Sequence, residues 1–386
     1  MSINKETFGN SLQLSGPMEF IGISQEQADR TEKIRKEIVT DLSLSNLADG
    51  LEKHLDYLRD WSPHYDFEFW DKIESQFEYM WPNLSKLLYL GVEYGLYEGV
   101  RDIFFEIRNL LQWTGLVKER IYFSAWLKRE SINKQDEGTT YISVSSLAWS
   151  FTSSGFHQDL GQANALLKDL DSFIDAVENS SSRNSLKSNI IDSLGKDLYS
   201  ELMMDAHENG VRISIRNQDL KNAKYYIERG RNKINSLFSE DLILPRLEER
   251  FMLAFRYHEG IVFFLQEEYA EAEAIFSEIL QRASLIGWDR VTSGAHSWLA
   301  TLAIELGKYD KCEDILSGLI RDNLISPHKR DGICQLIKAQ LLDKIGHKGE
   351  KAVAEERAAK VFREISGEEN NPASRCNLTS FVLSPH

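Results

Sequence analysis

Cysteine is close to absent, with three residues in 386, Cys312, Cys334 and Cys376. They are too few and too scattered for a disulfide framework, and none has the paired spacing of a zinc site. A reducing, cytoplasmic setting is expected. Proline is scarce as well: seven residues stand at 17, 63, 82, 245, 327, 372 and 385, so 83–244 contains none. The ring that removes a donor and collides with the preceding turn is missing there, and the segment is free to be nearly all helix. No window approaches eighteen consecutive apolar residues, and the start, MSINKETFGNSLQLSG, lacks a basic stretch followed by an apolar run. Neither membrane spanning nor secretion is expected. Basic charge is also short, 45 Lys and Arg against 60 Asp and Glu, for a net charge of −15. Such a chain repels nucleic acid and anionic membranes at long range, which favours a basic or neutral partner.

Catalytic signatures are missing too. Nine histidines occur without an HExxH pair, and there is no GxSxG elbow and no GxxxxGK[ST] phosphate loop. No cofactor and no metal are expected, and the chain reads as a non-enzyme.

What the sequence has is helical periodicity. Apolar residues recur every three or four positions, as in Leu84, Leu87, Leu88, Gly91 and Val92, with no sustained alternation of strand type. The fold class is all-α. Helices are expected near 24–40, 44–60, 66–80, 83–95, 98–113, 117–131, 140–153, 159–177, 183–209, 219–237, 245–266, 269–285, 290–306, 309–322, 329–345 and 350–365. Ser62-Pro63, Trp81-Pro82, Leu244-Pro245 and Ser326-Pro327 read as helix starts, since proline is tolerated in a first turn. Residues 1–23 and 366–386 lack periodicity and are expected to be flexible tails.

The stretch FFLQEEYAEAEAIFSEIL, 263–280, has a second copy forty residues later. Gly260, Phe263, Tyr269, Ala272, Phe276 and Ile279 are matched by Ala300, Ala303, Tyr309, Cys312, Leu316 and Leu319. Each copy reads as a helix pair: a small residue where the neighbour approaches, a tyrosine opening the second helix, a small residue at the crossing and a large one filling the gap to the next pair. Cys312 at a crossing position is expected to be buried, and Cys376 in the tail exposed.

This pattern resembles the tetratricopeptide (TPR) family, whose motif is a small residue in helix A, glycine and tyrosine at the turn, then alanine and phenylalanine in helix B. Gly307-Lys308-Tyr309 matches the turn, while Glu267 replaces its glycine in the other copy. Weaker copies surround these two. Gly95, Tyr97, Val100, Phe104 and Ile107 resemble a turn and helix B; Leu147, Ala148 and Phe151 lead to Leu160, Ala163, Leu167 and Leu170; Leu220, Ala223 and Ile227 echo a helix B; and Ala339 and Gly346 keep register. The step exceeds the usual one of about 34 residues, which resembles the long-helix repeats of kinesin light chains, Rap-type peptide-sensing regulators and bacterial sensor arrays. The resemblance implies a right-handed α-solenoid over 83–365. Residues 24–82, dense in aromatics, are expected to form an N-terminal helical bundle that caps it.

The resemblance further implies a scaffold or sensor that holds a protein or peptide on the concave face made by the first helices. The candidate groove residues are Tyr257, His258, Ile261, Phe264, Trp298, Thr301 and Gln340; the alternative is that a long superhelix buries these same side chains in its core. The Lys, Arg and Asn set that clamps a terminal carboxylate in chaperone-binding members is missing at these positions. Two other functions are open: a peptide-responsive regulator acting through the N-terminal bundle, and nucleic-acid or phosphate binding through 212–233. That segment holds Arg212, Arg216, Lys221, Lys224, Arg229, Arg231 and Lys233 against Asp219 and Glu228, with Tyr225 and Tyr226 interleaved. Its simpler reading is a solvated helix face. A homodimer is a further possibility.

Overall fold

The structure is a computed structural model that describes residues 44–60, 70–114, 116–153, 157–179, 183–319 and 329–366. The expected helix at 24–40, the tails, and the Ser62-Pro63 and Ser326-Pro327 starts lie outside these residues. Within them the chain is all helical: α1 Leu44–Arg59, α2 Trp70–Glu93, α3 Tyr97–Trp113, α4 Val117–Lys134, α5 Glu137–Ser153, α6 His157–Asn179, α7 Arg183–Arg216, α8 Leu220–Ser239, α9 Pro245–Leu265, α10 Tyr269–Leu285, α11 Asp289–Glu305, α12 Tyr309–Leu319, α13 Lys329–Lys344 and α14 Lys348–Ser366. No strand occurs among the described residues.

Two departures from the sequence reading have local causes. The expected start at Pro82 is the interior of α2, which runs through it. A single proline removes one donor, and a helix whose Phe77, Leu84 and Leu88 are fully buried keeps its axis through that loss. In α7 the backbone leaves helical geometry at Gly195, with φ 79° and ψ 165°, and the helix then continues to Arg216 rather than stopping near 209. That conformation belongs to glycine.

Neighbouring helices pack on one another along the chain, and a second set of contacts joins every other one. α1 packs on α3, α3 on α5, α5 on α7, α7 on α9, and α11 on α13. Between α9 and α11 the link is made by Tyr257, whose hydroxyl would lie 2.8 Å from a Cβ at Gly294. The even-numbered helices stand farther apart and meet through long side chains, as where Lys128 of α4 faces Asp169 of α6, Arg229 and Tyr226 of α8 reach Glu178 and Asp171 of α6, and Lys311 of α12 reaches Glu273 of α10. The helix at Tyr97–Trp113, read from its motif as the second of a pair, thus stands in the odd-numbered row.

The turns repeat a single device. Left-handed residues follow α2 (Gly95), α4 (Gln135), α7 (Gln218), α9 (Glu267), α11 (Gly307) and α13 (Gly346). Glu267, at φ 62°, has the conformation of Gly307 at φ 69°. The hydrogen bonds match too: Glu267 N and Glu268 N donate to Phe264 O and Phe263 O, and Gly307 N and Lys308 N donate to Ile304 O and Ala303 O. These bonds satisfy carbonyls orphaned at a helix end.

The main core runs from α4 to α14, and a second cluster joins α1, α2, α3 and the start of α4. α5 is buried from Gly138 to Thr152 although seven of these fifteen residues are serine or threonine. Some of these hydroxyls turn back onto their own helix: Thr140 Oγ1, Ser150 Oγ and Thr152 Oγ1 donate to the carbonyls of Asp136, Ser146 and Ala148. A helix with short side chains that bond back to their own backbone can be enclosed on all sides with few polar atoms stranded, here Ser143 Oγ. Asp136 anchors its start, accepting from Thr139 N, from Tyr97 OH of α3 and from Ser193 Oγ of α7.

Candidate functional site

The residues proposed for the groove lie mainly in the interior. Tyr257, His258, Ile261, Trp298 and Thr301 are buried, whereas Phe264 and Gln340 are partly exposed. Trp298 stacks on Phe276 with ring centres 5.5 Å apart and 5° between planes, and Phe264 and Tyr257 complete the aromatic group. A Cβ at Gly260 would stand 2.9 Å from Phe276 Cζ, so glycine there admits the ring. In this structure these side chains pack as core between α9, α10 and α11, the second of the two alternatives weighed from sequence.

The basic segment is not one surface. Arg212 is buried with its guanidinium 3.9 Å from the Trp149 ring centre, and Arg216 donates to the Thr152 carbonyl. Arg229 bridges Asp175 and Glu178 of α6, Arg231 pairs with Glu259 of α9, and buried Lys233 faces Glu178. Lys221 and Lys224 are exposed. These cations knit α8 to its neighbours, and α6 and α9 supply the acids that answer them.

A different constellation emerges on α7. Glu201, Asp205, Glu208, Arg212 and Arg216 recur at steps of four, three, four and four, which places them on one helical face, with Asn209 beside them. That face meets α3, α5 and α9. Arg108 of α3 donates to Glu201 and to Phe105 O. Asn209 Nδ2 donates to Ser145 of α5, at 3.1 Å from its carbonyl and 3.0 Å from its hydroxyl. His258 Nε2 of α9 lies 2.9 Å from Glu208 Oε1, both residues buried. Arg250 of α9 holds its guanidinium 5.6 Å from the Phe251 and Trp288 ring centres.

Asp205 lies at the centre of this group. It keeps part of its surface open to solvent, yet burial of its carboxyl pushes its pKa up to about 7. Arg108 and Arg250 pull it down, and Glu201 and Glu208 push it up. On the other side of α7, burial drives His207 down to about 4, so it is neutral and its Nδ1–H donates to Met203 O at 2.7 Å. A sequence signal for this stripe existed. Residues 199–215 are apolar at Tyr199, Leu202, Met203, Met204, Ala206, Val211, Ile213 and Ile215, which cover most of the circumference, so the charged positions belong to a helix with little free surface. Starting the basic segment at Arg212 cut the stripe in two.

Chemically, the group offers charge and hydrogen bonds without a nucleophile and base in line. Among the described residues no set of three or more His, Cys, Asp or Glu could hold a metal ion, and no helix is long and apolar enough to cross a membrane. No protein-family model matches the chain, and no curated protein is significantly similar to it.

Proposed function

We propose that the chain is a TPR-like helical array, a scaffold or sensor that holds a protein or peptide along its odd-numbered helices. The observation that carries this reading is the polar group that crosses that row: Asn209 and Glu208 of α7 joined to Ser145 of α5 and His258 of α9, with Asp205 partly open to solvent beside them. A polypeptide presents donors and acceptors at short intervals along its length, and a strip passing from helix to helix answers them in sequence. The closer approach of the odd-numbered helices supports a curved array with these helices on the inner side, since the inner row of a superhelix is the more crowded one. The matched turns after α9 and α11 support the TPR resemblance. α1 and α2 support the capping role, because their separate cluster covers α3.

The close packing of this strip favours a partner that opens it, so a sensor whose superhelix changes pitch is preferred to a rigid scaffold. That second cluster also suits the regulator reading, in which the N-terminal helices pass the change to another protein. Nucleic-acid binding through 212–233 has less support, since Arg229, Arg231 and Lys233 are engaged within the chain. The test is selection of capped random heptapeptides on the immobilised full chain, followed by small-angle scattering of the complex. Selected peptides that change the radius of gyration support the sensor. Peptides bound with no change leave a rigid scaffold, and failure to select any removes the reading.

A further inference from the structure

The α7 stripe includes acceptor atoms that take no hydrogen bond. Asp205 accepts no hydrogen bond and forms no ion pair among the described residues, although a carboxylate has about four acceptor sites. The neighbouring guanidiniums are committed elsewhere: Arg108 to Glu201 and Phe105 O, Arg212 over Trp149, and Arg250 beside Trp288 and Phe251. One turn on, Asn209 is fully buried and gives both Nδ2 hydrogens to Ser145, while its Oδ1 has no partner. Across from it, fully buried His258 spends Nε2–H on Glu208, which leaves Nδ1 as an unpartnered acceptor. These three acceptors lie on α7 and on the part of α9 that meets it. Buried polar atoms without partners are rare and mark a missing ligand or solvent group.

Groups that donate in several directions and accept in none are ammonium and guanidinium. Resting on the reading above, we infer that Asp205 is the counter-ion for a cationic nitrogen of the bound polypeptide, a lysine or arginine side chain or a free amino terminus, with Asn209 Oδ1 and His258 Nδ1 as neighbouring acceptors. This is opposite in sign to a site that clamps a terminal carboxylate. It also agrees with the −15 charge of the chain, which draws cations toward it. Bringing a cation to Asp205 restores the partner that burial has denied its carboxylate. Binding therefore strengthens as pH rises through the titration of Asp205 and weakens as Asp205 is protonated. The other groups facing this carboxyl, Arg108 on α3, Glu201 and Glu208 on α7 and Arg250 on α9, include no histidine, and His258 reaches it only through Glu208.

The test uses the full chain at physiological salt and three heptapeptide pools of otherwise neutral random sequence. One carries a single internal arginine between capped ends, the second carries citrulline in its place, and the third is free of arginine with an uncapped amino terminus. Retention is read by mass spectrometry for the wild type and for Asp205→Asn. The substitution removes one charge of a strongly acidic chain, so long-range attraction to cations is unchanged. The inference expects the arginine pool or the free-terminus pool to be retained about tenfold over citrulline at pH 8. That preference should collapse in Asp205→Asn, and in the wild type at pH 5.5. Whichever pool leads identifies the source of the nitrogen. Equal retention of all pools by the wild type overturns the inference and leaves peptide binding standing, as does a preference that survives in Asp205→Asn. Retention of no pool overturns both. The wild-type pH comparison needs no folded variant.

Discussion

Replacing Asp205 by asparagine should make the protein more stable, and the size of the gain should depend on pH in a defined direction. The Asp205 carboxyl titrates near 7 in the folded chain against 3.8 for a free carboxyl. A group that binds its proton about a thousandfold more tightly when folded favours folding below its unfolded pKa and loses that contribution as pH rises to its folded pKa. Between pH 4 and 7 the wild type therefore gives up stability, and above 7 the whole cost is present. Three decades correspond to about 4 kcal/mol, and partial exposure of the residue reduces this to about 2–3 kcal/mol. Asparagine has nearly the same shape and no charge at any pH. For a chain of this length Asp205→Asn should raise the melting temperature by about 2–4 °C at pH 8 and by less than about 1 °C at pH 4.5. Circular dichroism at 222 nm at both pH values is the assay. A variant that melts lower than the wild type at pH 8, or that shifts equally at both, refutes the account of Asp205 as a desolvated, unpartnered carboxylate. A stabilised variant that has lost binding would be the usual trade between stability and function.

Three further predictions test the fold. A Cβ at Gly230 would fall 2.2 Å from Phe255 Cζ, so Gly230→Ala should cost about 1–3 kcal/mol in urea unfolding despite alanine's better helix propensity; an unchanged midpoint would show that α8 and α9 do not approach so closely. Glu267 takes the left-handed geometry that glycine takes at Gly307, so Glu267→Gly should stabilise by about 0.5–1 kcal/mol, and a loss of stability would mean that this turn is not of that type. Cys312 is buried and its thiol pushed up to about 12. It should react with a thiol reagent at pH 8 only on unfolding, and rapid labelling of the native chain, located by peptide mapping, would contradict its place at the helix crossing.

The all-helical character was legible because the apolar spacing is strong and proline is missing over the centre of the chain. The four helices α9 to α12 were legible as well, and Gly260 and Phe276 do meet within one helix pair, a contact that leaves a fixed spacing in the sequence. Proline 82 misled because a residue that starts helices is also tolerated inside a helix held by packing on both sides of it. The central stripe was not legible for a different reason. A charged face on a helix normally faces water, and whether it meets solvent or two other helices is decided by residues such as Arg108 and His258, 93 and 50 positions away from their partners on α7. Tyr257 and Trp298 failed in the opposite sense: large amphipathic rings suit a binding groove and a core equally, and only their neighbours distinguish the two.

The contacts among odd-numbered helices have a consequence for how disturbances spread. Each helix meets its near neighbours in sequence, so the free energy of any one segment is coupled to few others and the coupling is handed on step by step. A substitution in α13 is felt directly in α11, α12 and α14, and reaches α3 only through every intervening layer. Among the described residues, the pair formed by Arg108 and Glu201 departs from this order and ties α3 to α7 past α5. That link puts α3, α5 and α7 in direct contact with one another, so a disturbance in any one of the three reaches the other two without an intermediary.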